Sequence, residues 1–110
     1  MIYLASPYSH PHPVIMQTRF EQTCRAIGAL INQGLMVFSP IVHCHPVADF
    51  CKLPTDFDFW ESYNYHFLER SEKMIVLKIS GWDSSIGVRG EAAKALELGI
   101  PVEYMEVSDV

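Results

Sequence analysis

Lys73-Met74-Ile75-Val76-Leu77-Lys78-Ile79, followed by Gly81-Trp82-Asp83-Ser84-Ser85, decides the fold. Met74 to Leu77 is apolar without alternation, the pattern of a strand covered on both faces, and such strands belong to parallel sheets flanked by helices. Beyond the turn, Ile86 to Leu98 reads as a helix that Gly99 stops. Ile100 to Met105 supplies a last strand, with Pro101 near its start, where a missing N–H is tolerated. Before the run, Thr55 offers a helix cap with Asp58 as a short-armed capping partner, and Trp60, Tyr63, Asn64, Phe67 and Ser71 share one helical face through about Arg70.

Working back to the start, Met1 to Ala5 is a buried first strand ended by Ser6-Pro7-Tyr8-Ser9, and the prolines of His10-Pro11-His12-Pro13 delay the next helix. From Val14 to Gln33 a helix is expected to bury Phe20, Cys24, Ile27 and Ile31, with Arg19, Gln22 and Arg25 off that face and Gly34 as its stop. Leu35 to Phe38 gives a second strand, closed by Ser39-Pro40. Ile41 to Asp58, with Pro46, Pro54 and the pairs His43/His45 and Asp56/Asp58, has no clean period and reads as a long irregular loop of the kind that carries function.

The order is βαβαβαβ. Crossovers of this length join parallel strands right-handedly, so the expected architecture is α/β, a small doubly wound (flavodoxin- or Rossmann-like) parallel sheet with strand order 2-1-3-4, in one domain over residues 1–110. Ligands of such sheets bind beyond the carboxyl ends of the strands at the switch point, here between the first and third strands. Tyr3, Ser6, Tyr8, His43, His45, Ser84, Ser85 and Glu91 are expected around that crevice.

Composition narrows the partners. A hydrophobic fraction of 49% with 19% charged residues suits a globular domain, and a net charge of −5 without a Lys/Arg cluster argues against a nucleic-acid duplex or an anionic membrane. There is no apolar run of membrane-spanning length and no leader-like start, and three cysteines without framework spacing suit a reducing compartment, so a cytoplasmic location is expected.

Glu91 is the first candidate for chemistry. At about 100° per residue it falls with Val88, Ala92, Ala95, Leu98 and Gly99, so an acid sits on the apolar stripe of its helix. A buried carboxylate is costly unless paired or used, although a helix-start glutamate half in solvent fits the same spacing. Ser84, Ser85 and the opening N–H groups near Gly87 suit a phosphate, and they equally suit plain helix capping. There is no Gly-Lys-Ser/Thr phosphate loop and no G-x-G-x-x-G after the first strand. His43-Cys44-His45 offers only two same-side ligands, so no metal site and no cofactor is expected, and a Cys44–His43 nucleophile pair has no better support. Trp60, Tyr63 and Tyr8 are candidate walls for a flat ligand or ordinary core aromatics.

Ile-Tyr-Leu-Ala-Ser-Pro at residues 2–7, Met-Ile-Val-Leu at 74–77, Ser-x-Gly-Val-x-x-Glu at 85–91 and Ala-x-x-Leu-Gly-x-Pro-Val at 95–102 together resemble the nucleoside 2-deoxyribosyltransferase superfamily. The Ser-Pro-Tyr-Ser-His start, the His-Pro loop and the Gly-Trp-x-x-Ser turn are similar to a branch of short proteins described only as a domain of unknown function. The resemblance spans nearly the whole chain. It implies that Glu91 is a nucleophile attacking C1′ of a deoxyribosyl group, that Tyr3 positions it, and that Ser85 takes a 5′-phosphate where nucleoside-specific relatives have an aspartate. The crevice residues Ser6, Tyr8 and His45, with Trp60 as a wall, are the expected substrate pocket, and the resemblance also implies self-association as a homodimer or larger homo-oligomer. One position departs: Asn64 stands where the family has an aspartate that assists the departing base. Asparagine cannot deliver a proton, so assistance must come from Asp58, Glu61 or His45 or be lost. The expected function is an N-glycosidase or deoxyribosyltransferase on 2′-deoxynucleoside 5′-monophosphates. The alternative is a nucleotide-binding or sensing protein of the same fold with little catalysis.

Overall fold

The computed structural model describes residues 1–109. In chain order the elements are β1 (Ile2–Ala5), α1 (Pro13–Asn32), β2 (Val37–Phe38), α2 (Pro40–Cys51), α3 (Phe57–Leu68), β3 (Lys73–Leu77), α4 (Ile86–Leu98) and β4 (Val102–Met105), followed by a 3₁₀ turn at Val107–Asp109. The strands form one parallel sheet in the order β2-β1-β3-β4, with Ile2 opposite both Val37 and Lys73, and Met74 opposite Val102. This is the doubly wound arrangement that the apolar run at Met74–Leu77 predicts.

Alternation along the two central strands splits the core in two. Ile2, Leu4, Ile75 and Leu77 pack with Ala26 and Leu30 of α1 on one face. Tyr3, Ala5, Met74 and Val76 pack with Leu68 of α3 and Val88 and Ala95 of α4 on the other. Helices α1 and α4 therefore leave adjacent strands for opposite faces, and this opens a crevice at the carboxyl ends of β1 and β3. No helix of the described residues is long and apolar enough to cross a membrane.

The structure corrects the expected loop at 41–58. Its first part is helix α2, capped by Ser39, whose side chain accepts from the Val42 N–H at 3.2 Å, with Pro40 in the first turn and Lys52 closing it at φ 57°. Pro46 lies inside the helix, so the proline that reads as a breaker does not break it. The next helix is capped by Asp56, accepting from Phe59 N–H at 3.2 Å, and not by Thr55.

The buried face of α1 is turned by about one residue from the expected one. It carries Thr23, Ala26 and Leu30, while Ile31 is exposed. Thr23 is tolerated there because its hydroxyl donates to Arg19 O at 2.8 Å. Strand β2 is shorter than Leu35–Phe38 because Leu35 is spent on closing α1: past Gly34 at φ 84°, the Leu35 N–H returns to Leu30 O at 3.2 Å. Likewise Ile100 gives its N–H to Ala95 O at 2.8 Å, so β4 begins at Val102.

Helices α3 and α4 meet at Gly90. A Cβ there would stand 2.8 Å from the Phe57 ring, and the Gly90 carbonyl accepts from Tyr65 Oη at 3.1 Å. Gly90→Ala is expected to destabilise the protein by about 1–3 kcal/mol despite its better helix propensity, because the ring must leave a packed site. Urea titration of the two proteins checks this.

Candidate active site

The crevice is a cavity of about 460 Å³. The loop after β1 contributes Ser6 and Tyr8, α2 contributes Cys44 and His45, α3 contributes Trp60 and Asn64, and the turn into α4 contributes Ser84, Ser85, Gly87 and Glu91. Tyr3 does not line it. It lies fully buried behind Glu91, between β1 and the helices.

Glu91 is 3% exposed on the inner face of α4, with Val88 and Ala95. Its carboxylate is held on one side only. Oε2 accepts from the Tyr3 hydroxyl in a very short hydrogen bond and from Asn64 Nδ2 at 3.3 Å. Among the described residues Oε1 takes no hydrogen bond, yet it is not sealed in the interior. A carboxylate so placed has one oxygen fixed and the other facing the cavity. Burial pushes the Glu91 carboxyl up to about 7, against the hydrogen bonds from Tyr3 and Asn64, which pull it down. Tyr3 is held well above the ordinary tyrosine value by burial first and the Glu91 charge second, so it stays a donor.

Asn64, 6% exposed, spends its amide N–H on Glu91, and its Oδ1 is buried without a partner among the described residues. The protein itself leaves this acceptor unmatched at the cavity wall. Such a group costs about 1–3 kcal/mol.

The mouth of α4 is an anion-ready helix start. Ser85 caps the helix by accepting from Val88 N–H at 3.2 Å, and this leaves its own proton to give. The N–H groups of Ile86 and Gly87 have no partner among the described residues. Ser84 is more committed, since its hydroxyl donates to Gly81 O at 3.4 Å. The capping reading of Ser85 is therefore met, and the cap leaves its hydroxyl proton free to donate.

Three residues occupy places the sequence pattern did not foresee. Arg19, expected off the buried face, reaches into the cavity wall, where Nη1 donates to Tyr8 O at 3.2 Å and Ser9 O at 3.0 Å and Nη2 to Ser80 O at 3.4 Å. Cys44 lines the cavity, but burial, with the Glu91 charge behind it, pushes its thiol up to about 11, which makes it a poor nucleophile at neutral pH. His43 does not join the crevice. It lies in a smaller hollow of about 370 Å³, stacked on Tyr63 with its Nε2 at 2.7 Å from the Tyr63 hydroxyl. The Ser39-Pro40 pair, read as a helix start and not only as a strand end, is the signal that places Cys44 and His45 on one helix.

Among the described residues no three His, Cys, Asp or Glu side chains are grouped to hold a metal ion. No curated protein matches the sequence. The family model described as a domain of unknown function, DUF1937, matches residues 1–107, and the chain belongs to that family.

Proposed function

We propose that the protein cleaves the N-glycosidic bond of 2′-deoxynucleoside 5′-monophosphates through a covalent glycosyl intermediate on Glu91. One observation carries the reading: a buried carboxylate with one oxygen fixed by Tyr3 and Asn64 and the other open to a cavity that also contains an uncommitted helix N-terminus. In the first step Oε1 attacks C1′, the C1′–N bond breaks, and its electron pair leaves with the base, which has taken a proton from solvent. Tyr3 positions the nucleophile. The 5′-phosphate is held by the Ser85 hydroxyl and the N–H groups of Ile86 and Gly87, where the helix dipole adds to each bond. Trp60 and Tyr8 bound the space left for the base. The resemblance of the first strand and of the Ser-x-Gly-Val-x-x-Glu stretch to nucleoside 2-deoxyribosyltransferases points the same way.

The test is to incubate the protein with each deoxynucleoside 5′-monophosphate and the matching nucleosides, and to follow free base by chromatography. Release from monophosphates is expected; release from none of them sinks the proposal. Ser85→Asp keeps a good helix cap and sets a charge against the phosphate. It is expected to shift the monophosphate-over-nucleoside preference in kcat/KM down by about 10- to 100-fold. The rival reading, a nucleotide binder with little catalysis, draws on Asn64, which cannot supply a proton. It predicts thermal stabilisation by monophosphates without release.

A further inference from the structure

A glycosyl-enzyme must be resolved, and the groups assigned above cannot take the proton of an attacking water. Glu91 is bonded to the sugar at that stage, Tyr3 is held protonated behind it, and Asn64 is an amide. Asp58, which lines the cavity, is exposed and among the described residues has no hydrogen bond to hold it there.

The same cavity contains one further network, and its polarity is fixed from the far end. Glu21 is a carboxylate and can only accept, so Gln17 turns its amide nitrogen toward Glu21 Oε2, at 3.0 Å. Gln17 Oε1 is thereby left to face His45 Nε2, at 3.0 Å, which must carry the ring proton. His45 Nδ1 is then a lone pair, and the Tyr8 hydroxyl donates to it in a very short hydrogen bond. The ring is held in place by Phe20, whose centroid lies 4.4 Å away. Tyr8 and His45 both line the cavity, and with its proton turned toward His45 the Tyr8 oxygen keeps a lone pair free to accept. Burial lowers the His45 pKa while the charge of Asp49, one turn on along the same helix, raises it less, which keeps the lone pair available at neutral pH.

We propose that Tyr8 and His45, oriented by Gln17 and Glu21, form a relay that takes the proton of the water resolving the Glu91 intermediate, so that the protein is a hydrolase. The proposal rests on the glycosidase reading above. As the water oxygen bonds to C1′, the C1′–Oε1 bond breaks and its electron pair returns to the Glu91 carboxylate. The water proton passes to the Tyr8 oxygen while the Tyr8 proton moves to His45 Nδ1. The imidazolium later returns one proton to solvent by the same path. The products are free base and 2-deoxyribose 5-phosphate, and each group ends as it began.

The test compares wild type, Tyr8→Phe and His45→Gln on a deoxynucleoside 5′-monophosphate, by rapid-quench base release and intact-protein mass. Both variants are expected to release about one equivalent of base in a burst, to lose roughly 100-fold or more in steady-state turnover, and to accumulate a deoxyribosyl phosphate adduct on Glu91. Gln17→Met, which removes only the group that orients the ring, is expected to show the same adduct with a loss of about 10-fold. An adduct that builds up with the burst intact is not the signature of a damaged fold. Turnover that survives Tyr8→Phe overturns the relay alone, as does loss of the burst together with turnover. Wild-type protein that forms neither free base nor adduct overturns the glycosidase reading and the relay with it.

Discussion

Glu91→Gln is expected to end base release, with a loss of about 10⁴-fold or more, and at the same time to make the protein more stable at alkaline pH. The first effect is that of removing a nucleophile from a site whose other members act through it. The second follows from burial. In the folded protein the Glu91 carboxyl sits at about 7 against an ordinary value of 4.5, so the folded state holds the proton more tightly than the unfolded chain. Its contribution to stability is therefore fully present below about pH 4.5 and is lost as pH rises through 7. The displacement corresponds to roughly 3 kcal/mol. Glutamine cannot ionise and does not lose it, so the melting-temperature gap between variant and wild type should open between pH 4.5 and 7 and level off at on the order of 10 °C. Catalysis runs the other way, since the attacking form is the carboxylate, and the rate of base release should rise through about pH 7. Scanning calorimetry across this range and a pH–rate profile check the two limbs. A gap that does not depend on pH would show that Glu91 is not held protonated by burial.

Asn64→Asp is expected to raise the rate of base release by about 10²- to 10⁴-fold, the usual worth of general-acid assistance. The residue already lies at the cavity wall with its amide nitrogen 3.3 Å from Glu91 Oε2. Two carboxyls at that separation cannot both ionise in a buried site, so the pair shares a proton near neutrality. The introduced carboxyl, at a position that lines the cavity, can then give that proton up to the departing base. The variant should also show a two-step pH profile in place of one, and lower stability above neutral pH. Pre-steady-state base release from the same monophosphates checks this, and an unchanged burst rate would mean that proton supply does not limit the first step.

The parts of the fold legible in the sequence are those where one force dominates. Met74–Leu77 reads correctly because both faces of β3 are covered, so every position must be apolar. Helix α4 reads correctly because its ends are chemical: Ser85 caps it and Gly99 closes it. Where two forces compete, the pattern misleads. Pro46 argues against a helix locally, but Ser39, Pro40 and the packing of α2 against β1 and α1 outweigh it. The α1 stripe of Phe20, Cys24, Ile27 and Ile31 is more apolar than the face that is buried, because Thr23 satisfies its hydroxyl within the helix and Arg19 buries its stem while its charged end finds carbonyls. Glu91 stood out as an acid on an apolar stripe. The network behind Tyr8 did not, because its members, at 8, 17, 21 and 45, come from three segments that only the crossover brings together.

Arg19 bears on how the proposed substrate would enter. Its guanidinium takes carbonyls from Tyr8 and Ser9 after β1 and from Ser80 after β3, so the two rims that the sheet contributes to the cavity are tied to each other and to α1 by one side chain. Three bonds donated by one guanidinium bridge these rims. If the cavity takes the proposed substrate, the freedom to admit and release it would fall to the opposite rim, the segment 52–56 between α2 and α3, pinned to the rest by single bonds such as Ser9 Oγ to Thr55 O and Trp60 Nε1 to Pro54 O at 2.8 Å. On the proposed reading, traffic through the cavity is a matter for the helical side, while the sheet side would keep Glu91, Tyr3 and the helix mouth in register from one substrate to the next.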